Sequence, residues 1–315
     1  MNITIPDILI PYIQKNENMS THTTFKTGGN ADYYIKPPRL LFISLAKECI
    51  KWTRKNNIPL LILGGGANLC VSDNGVRGLV LDTSDFSEFS IEKNESIGGG
   101  TEGSSAALRV SCGVLSDEAA RFACANSLSG LEFLSGLPGT IGGALYMNAR
   151  CFEKEISGIF IDAMVLNKNY KIDVIKNNTH EWAYKKSPFQ NRNILILSAR
   201  FKVEYGIQND ISSLCAYYKK QREEKGHYRF PSAGSVFKNN HAFGKPSGKI
   251  IDELGLRGVS IGGAQIAPWH GNFIINTGGA TSAGIRALVE LVKNEARNRA
   301  GLELEEEILF AGDWA

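Results

Sequence analysis

Apolar residues recur along this chain at two spacings, and the two alternate. Leu41 to Asn57 is apolar at 42, 45, 46, 49 and 50, which predicts an amphipathic helix stopped by Asn56-Asn57 ahead of Pro59. Ser282 to Arg299 carries the longest stripe, Ile285, Leu288, Val289, Val292 and Ala296, with Gly301 placed to cap it. Ser116 to Asn126 predicts a helix with Ser116 as N-cap and Asp117 and Glu118 in its first turn. Ile211 to Lys225, basic on one side, and the short Lys249 to Leu254 complete the helical set. Strands are predicted at Ala31–Lys36, Leu60–Leu63, Leu79–Asp82, Ala107–Cys112, Ile159–Leu166, Lys171–Ile175, Ile194–Glu204, Ser232–Lys238, Phe273–Asn276 and Leu302–Phe310. Residues 1–20 are weakly patterned and read as a short packed helix, and the polar, GGG-containing stretch from Asp85 to Gly103 reads as an exposed hairpin or loop. No internal repeat is present. The order of elements divides the chain into lobes 1–84, 85–208 and 209–315, an α+β arrangement.

Composition narrows the classes. The 315 residues are 43% hydrophobic and 21% charged, ordinary for a globular protein able to bury a large core. A net charge of +3 argues against a nucleic-acid binder while leaving local cations for anionic small molecules. No apolar run reaches the length of a membrane span, and the N-terminus has no basic segment, apolar core and cleavage site of a signal peptide. The six cysteines never form CxxC, so metal and disulfide roles are not expected, and reduced thiols in a cytoplasmic protein are.

Two glycine clusters depart from this pattern. Gly130 to Ala149 reads GLEFLSGLPGTIGGALYMNA, with apolar residues where a linker would carry Ser and charge. Leu60 to Asn68 reads LLILGGGAN, a strand running into three glycines. On composition alone each is either a tight bend or a cradle whose backbone N–H groups hold phosphate oxygens. The GxGxxG fingerprint of a doubly wound dinucleotide fold is absent. Two cradles together suggest one extended ligand with a diphosphate.

With Thr23 to Tyr34 (TTFKTGGNADYY) and Ser232 to Lys238 (SAGSVFK), these stretches resemble the UDP-N-acetylenolpyruvoylglucosamine reductase family, from about Thr23 to the C-terminus. The resemblance implies a vanillyl-alcohol-oxidase-like (PCMH-type) FAD-binding fold of two lobes, followed by a C-terminal α/β substrate lobe. It implies noncovalent FAD, NADPH as co-substrate, and reduction of a UDP-sugar enolpyruvyl ether to UDP-N-acetylmuramate in peptidoglycan precursor synthesis. FAD would be held by Gly64, Gly65, Gly66, Ala67 and Asn68, and by Gly136, Pro138, Gly139, Thr140, Gly142, Gly143 and Asn148. Only about thirty residues separate Phe201 from Pro231, so the chain resembles the shorter type, without the inserted tyrosine-bearing segment. A monomer is expected, without nucleic-acid or membrane partners.

The chemistry sets what the site needs. Hydride delivered to an enolpyruvyl β-carbon leaves an enolate, which wants cations and then one proton. The resemblance assigns the proton to Ser235 and a stabilising carboxylate to Glu307. The terminal glutamates otherwise read as a solvated strand, with Glu303, Glu305 and Glu307 on one face. Lys185 stands where the family pattern Tyr-Arg-x-Ser has its carboxylate-binding arginine, keeping the charge and losing the planar fork. Read as a strand, that segment would turn Lys185 and Lys186 to opposite faces. Tyr184, Arg222, Lys225, Asn239 and His270 are expected around the substrate, with Lys238 nearby, and no metal-ligand spacing is present. Two alternatives stay open: an FAD-dependent oxidase of the same fold, and a flavin- or nucleotide-binding module without reductase activity.

Overall fold

The computed structural model describes residues 4–93 and 105–315. The chain packs into two compact units that interleave along the sequence, one of Met1–Ile13, Ile35–Gly65 and Leu81–Gln221, the other of Gln14–Tyr34, Gly66–Val80 and Arg222–Ala315.

The first unit is built on an antiparallel sheet in the order Ile172–Lys176, Phe160–Leu166, Leu195–Tyr205, Ser105–Ser111, Phe89–Lys93. Ala199, Phe201 and Val203 lie opposite Val110, Leu108 and Ala106, and all six are buried. That period of two is the expected signature of a sheet with one face in the core. Helix Ser116–Ala125 and the short helix Ile141–Tyr146 contribute Ala119, Ala120, Ala123, Ile141 and Leu145 to the same core. The opposite sheet face is ionic. Arg200 pairs with Asp162 and, at 3.2 Å, with Glu92, which also takes Arg109 at 2.7 Å. Helix Phe42–Lys55 buries Phe42, Leu45, Ala46, Cys49 and Ile50, the stripe read from sequence. Phe89–Lys93 pairs antiparallel with Ser105–Ser111; the rest of the stretch expected as an exposed hairpin or loop, residues 94–104 with the GGG run, lies outside the described residues.

The second unit has a four-stranded antiparallel sheet in the order Ser232–Ser235, Phe273–Asn276, Ala264–Ile266, Ser260–Ile261. Helix Ser282–Ala300 buries Ile285, Leu288, Val289, Val292 and Ala296. Thr281 caps its start by accepting from the Gly284 N–H, and Asp73 accepts from the Ser282 and Ala283 N–H groups at 2.9 and 2.8 Å. An acid there satisfies orphan donors and suits the helix dipole. Gly301, at φ 67°, ends the helix in the left-handed conformation.

Several expectations change. Residues 7–18 are a turn and the mostly exposed strand Ile13–Asn18, not a helix; Pro6 and Pro11 interrupt the segment and it has no apolar stripe. The N-cap of Ser116–Ala125 is Leu115, and Ser116 is the first helical residue. The last strand is only Leu309–Ala311, parallel to Leu69–Val71. Before it the segment makes an isolated antiparallel bridge, Glu306 with Phe237, but its burial still alternates, with Leu304 and Ile308 buried and Glu303 and Glu305 exposed. Glu303 pairs with Arg297, Glu305 with Lys238, and Glu306 with Lys293 at 2.7 Å, so cations on three sides set the path of this segment.

Candidate active site

In the first unit the two glycine clusters meet at backbone contact. A Cβ on Gly65 would lie 2.7 Å from the Gly139 Cα, and one on Gly64 would lie 2.4 Å from the Thr140 hydroxyl oxygen. Any side chain would force the loops apart, so glycine is required by the approach itself. Gly136 and Gly139 have φ of 71° and 94°, the left-handed side that the bend needs. The Gly142 N–H donates to the Cys112 carbonyl at 2.9 Å, and the Gly143 N–H to the Thr140 hydroxyl at 3.4 Å. Those two N–H groups therefore hold the bend together, which corrects a picture of uniformly available donors. A narrow backbone-lined cradle with no protruding Cβ fits a diphosphate-bearing cofactor such as FAD. Leu137, Pro138 and Gly139 form the apex of the loop between Leu134 and the short helix.

Asn148 is wholly buried, at φ 42°, and its amide is committed. It donates to the Ala183 carbonyl at 2.9 Å and to Glu155 at 3.2 Å, and accepts from the Ser157 N–H. Its side chain ties the Ala183 backbone, the Glu155 side chain and the Ser157 backbone to the end of the glycine stretch.

That tie holds the segment carrying Tyr184 and Lys185. Ala183 and Lys186 exchange backbone hydrogen bonds, which makes Tyr184 and Lys185 the centre of a tight turn, with Lys185 at φ 58°. The strand expected here is absent, and with it the alternation that would separate Lys185 from Lys186. Gln190 donates to the Lys185 carbonyl at 3.0 Å, and Ser187 and Gln190 both donate to the Tyr146 carbonyl, anchoring the turn beside the glycine bend. The Lys185 ammonium lies 5.7 Å from the Tyr184 ring centroid, and the Arg150 guanidinium 5.8 Å from the same ring. Sequence reading passed over Arg150; the only signal for it was a cation immediately after the glycine stretch.

In the second unit, Ser235 ends strand Ser232–Ser235, opposite Phe273. Val236 and Phe237 then bind Asn272 through three hydrogen bonds: the Val236 N–H donates to the Asn272 carbonyl, the Phe237 N–H to the Asn272 side-chain oxygen, and the Asn272 amide returns a bond to the Phe237 carbonyl. Asn272 is buried, so this clamp fixes the backbone just after Ser235. The Glu307 N–H donates to the Val236 carbonyl at 2.7 Å, which places the terminal glutamate next to the serine strand. Asn239 is exposed, and its side chain accepts from the Ser247 N–H, the first residue of helix Ser247–Glu253. Gly66 to Asn68 run through this unit, where Gly66, at φ 60°, packs against the His22 carbonyl and Asn68 reaches Glu307.

Arg222, Lys225 and His270 come together here, with His227 as a fourth member that sequence reading missed. The rings of His227 and His270 lie 4.7 and 4.3 Å from the Phe273 ring. Burial, with Arg222, His270 and Lys225 nearby, pushes the His227 imidazole down to about 4. Burial likewise lowers His270, partly opposed by Asp252. Both rings are neutral at neutral pH, with Arg222 and Lys225 as the cations near them. Lys238 is paired with Glu305.

Burial pushes the thiols of Cys49, Cys70 and Cys112 up to about 12, which keeps them protonated and poorly nucleophilic. Among the described residues no group of three or more His, Cys, Asp or Glu could hold a metal ion, and no helix is long and apolar enough to cross a membrane.

Known proteins match this chain over nearly its whole length. A model of the C-terminal domain of UDP-N-acetylenolpyruvoylglucosamine reductase matches residues 226–311, and a model of an FAD binding domain matches residues 45–166. The UDP-N-acetylenolpyruvoylglucosamine reductase of Treponema denticola is 39% identical, covering 93% of this chain and 91% of its own length. That of Borreliella burgdorferi is 40% identical, covering 95% and 94%. The crystal structure of the enzyme from Thermus caldophilus superposes with a TM-score of 0.74 at 28% identity, covering 95% of this chain and 98% of that one. The α+β fold read from sequence, with an FAD-binding part ahead of a C-terminal part, agrees with these matches. The chain belongs to the UDP-N-acetylenolpyruvoylglucosamine reductase family.

Proposed function

We propose that this protein reduces the enolpyruvyl ether of UDP-N-acetylglucosamine to UDP-N-acetylmuramate, using NADPH, in the cytoplasmic synthesis of peptidoglycan precursors. The observation that carries the reading is the backbone contact of Gly65 with Gly139, an FAD cradle inside a chain whose relatives bear this enzyme's name. When bound, FAD would supply the hydride-transfer chemistry that links NADPH to the enolpyruvyl group.

The chain's own residues handle charge and proton. Gly64, Gly65, Gly139 and Thr140 hold the cofactor's diphosphate, and the lobes 1–84, 85–208 and 209–315 divide cofactor from substrate binding. Lys185, on its anchored turn, holds the substrate carboxylate where negative charge builds as the enolate forms. Ser235 gives the α-carbon its proton, and Glu307, pinned beside Val236, stabilises the intermediate. Arg222 and Lys225 attract the anionic nucleotide, and the neutral His270 offers hydrogen bonds without competing for the proton. Tyr184 lines the substrate beside Lys185. Asn239 reaches it only through backbone or reorientation, since its amide oxygen is engaged with Ser247.

The test is an anaerobic titration. NADPH should bleach the flavin, and the enolpyruvyl nucleotide should restore its colour in stoichiometric amount. Reoxidation by oxygen alone, with the nucleotide inert, would replace the reductase reading by an oxidase.

A further inference from the structure

We propose that Gly234 and Asn272 are positioning residues for Ser235, acting through a β-bulge that turns the serine to the sheet face carrying His227 and His270. The inference rests on the proposed reductase function, in which Ser235 is the proton donor, and deepens it. Strand Ser232–Ser235 pairs with Phe273–Asn276 at two points, Ser232 opposite Ile275 and Ser235 opposite Phe273. Three steps along one strand meet two along the other, which leaves one extra residue, a bulge. Gly234 lies within it at φ 71°, the left-handed conformation that glycine-centred bulges use.

The extra residue decides which face Ser235 occupies. Along a regular strand Ser232 and Ser235 would lie on opposite faces. Here Ala233 and Val236 are both buried in one core cluster, with Ile274. Ser232 and Ser235 are both half-buried, opposite Ile275 and Phe273 of a separate cluster. The Phe273 ring is the one against which His227 and His270 lie. Without the bulge Ser235 would stand opposite Asn272 and turn to the core face with Ile274. Asn272 locks the register from the far side. Its buried amide holds both the Phe237 N–H and the Phe237 carbonyl at 2.8 Å, and its own carbonyl holds the Val236 N–H at 2.9 Å. A slip of one residue would break all three. The Asn272 N–H also donates to His270 Nδ1 at 3.2 Å, so one residue sets the imidazole and the serine strand together.

A Cβ at Gly234 would meet no atom within 4 Å. The glycine therefore serves its φ and not a lack of room, which separates two side chains of similar size. Asparagine tolerates the left-handed conformation and β-branched valine does not. In stopped-flow traces of the holoenzyme, Gly234→Val should slow flavin reoxidation by the enolpyruvyl nucleotide roughly a hundredfold, the lower end of what a positioned proton donor is worth. Gly234→Asn should stay within about threefold of wild type. Flavin reduction by NADPH should be alike in all three proteins. Gly234→Val added to Ser235→Ala should be no slower than Ser235→Ala alone, because both act through one hydroxyl. In crystal structures Ser235 should remain opposite Phe273 in Gly234→Asn and leave that position in Gly234→Val. If Gly234→Val does not fold, Gly234→Ala replaces it, with an expected loss of about tenfold. Asparagine as damaging as valine, equal loss in both half-reactions, additive loss in the double variant, or an unchanged register in both variants overturns the proposal while the reductase reading stands. Wild-type flavin that the nucleotide fails to reoxidise overturns both.

Discussion

The side-chain amide of Asn68 donates to the backbone carbonyl of Glu307 at 3.0 Å. The Glu307 N–H donates in turn to Val236, so both peptide groups flanking its Cα are held. The Leu309 N–H also returns a bond to the Asn68 carbonyl, closing the link. A residue that sequence places in the cofactor set thus orients a residue of the proton-handling set. Asn68→Ala should therefore slow flavin reoxidation by the enolpyruvyl nucleotide roughly tenfold, the scale of one lost hydrogen bond. FAD content should be unchanged. If the variant loses FAD instead, with normal reoxidation in reconstituted protein, Asn68 serves the cofactor directly.

Ser235 sits one residue before a backbone clamped by Asn272, so its removal should not disturb the strand. Ser235→Ala should leave flavin reduction by NADPH nearly intact. Reoxidation by substrate should fall by about a hundred- to ten-thousand-fold, the usual worth of a positioned proton donor. Stopped-flow traces of the two half-reactions separate these outcomes, and equal loss in both would make the residue structural.

Gly65→Ala puts a methyl group 2.7 Å from the Gly139 Cα, a contact that only backbone movement can relieve. The cradle should open and FAD should be lost from the purified protein, while far-UV circular dichroism stays that of the wild type. Flavin released from wild type by acid precipitation should be free FAD, since the cradle holds it without a covalent bond. Full flavin occupancy in Gly65→Ala would remove this contact from the binding site.

How much of this was legible depends on what each pattern measures. Helix Phe42–Lys55 and helix Ser282–Ala300 were readable because burial there follows the helical period. The glycine clusters were readable as backbone approach, but not as approach to each other, which is a long-range contact. The Tyr184–Lys185 turn was misread because no Gly, Asn or Asp marks its left-handed position; Asn148 and Gln190, distant or flanking, hold Lys185 there instead. The C-terminal strand was read too long, since only Leu309–Ala311 is a strand, although the burial before it still alternates. Arg297, Lys238 and Lys293 decide the path of the glutamates there, and those partners cannot be paired from sequence. His227 was missed because a lone histidine after a basic helix carries no spacing signal, although Phe273 joins it to His270.

His227 makes a prediction about acid stability. Its imidazole is pushed down to about 4 by burial first, then by Arg222, His270 and Lys225. In the unfolded chain the same group titrates near 6.5. Between these values the unfolded state binds a proton that the folded state refuses, so folding loses free energy as pH falls through the window. Above about 6.5 both states are neutral and nothing is lost. At about 1.4 kcal/mol per unit, His227 alone costs roughly 3 kcal/mol by the bottom of the window. His270, lowered in the same direction, adds to it. Urea unfolding at pH 7 and pH 4.5 should show a drop in stability that His227→Gln reduces by an amount of that order. Carboxylates contribute to the drop in both proteins and cancel in the difference. A drop of equal size in the variant would mean that His227 reaches solvent or a proton acceptor in the folded protein, and that the neutral-imidazole site is not maintained.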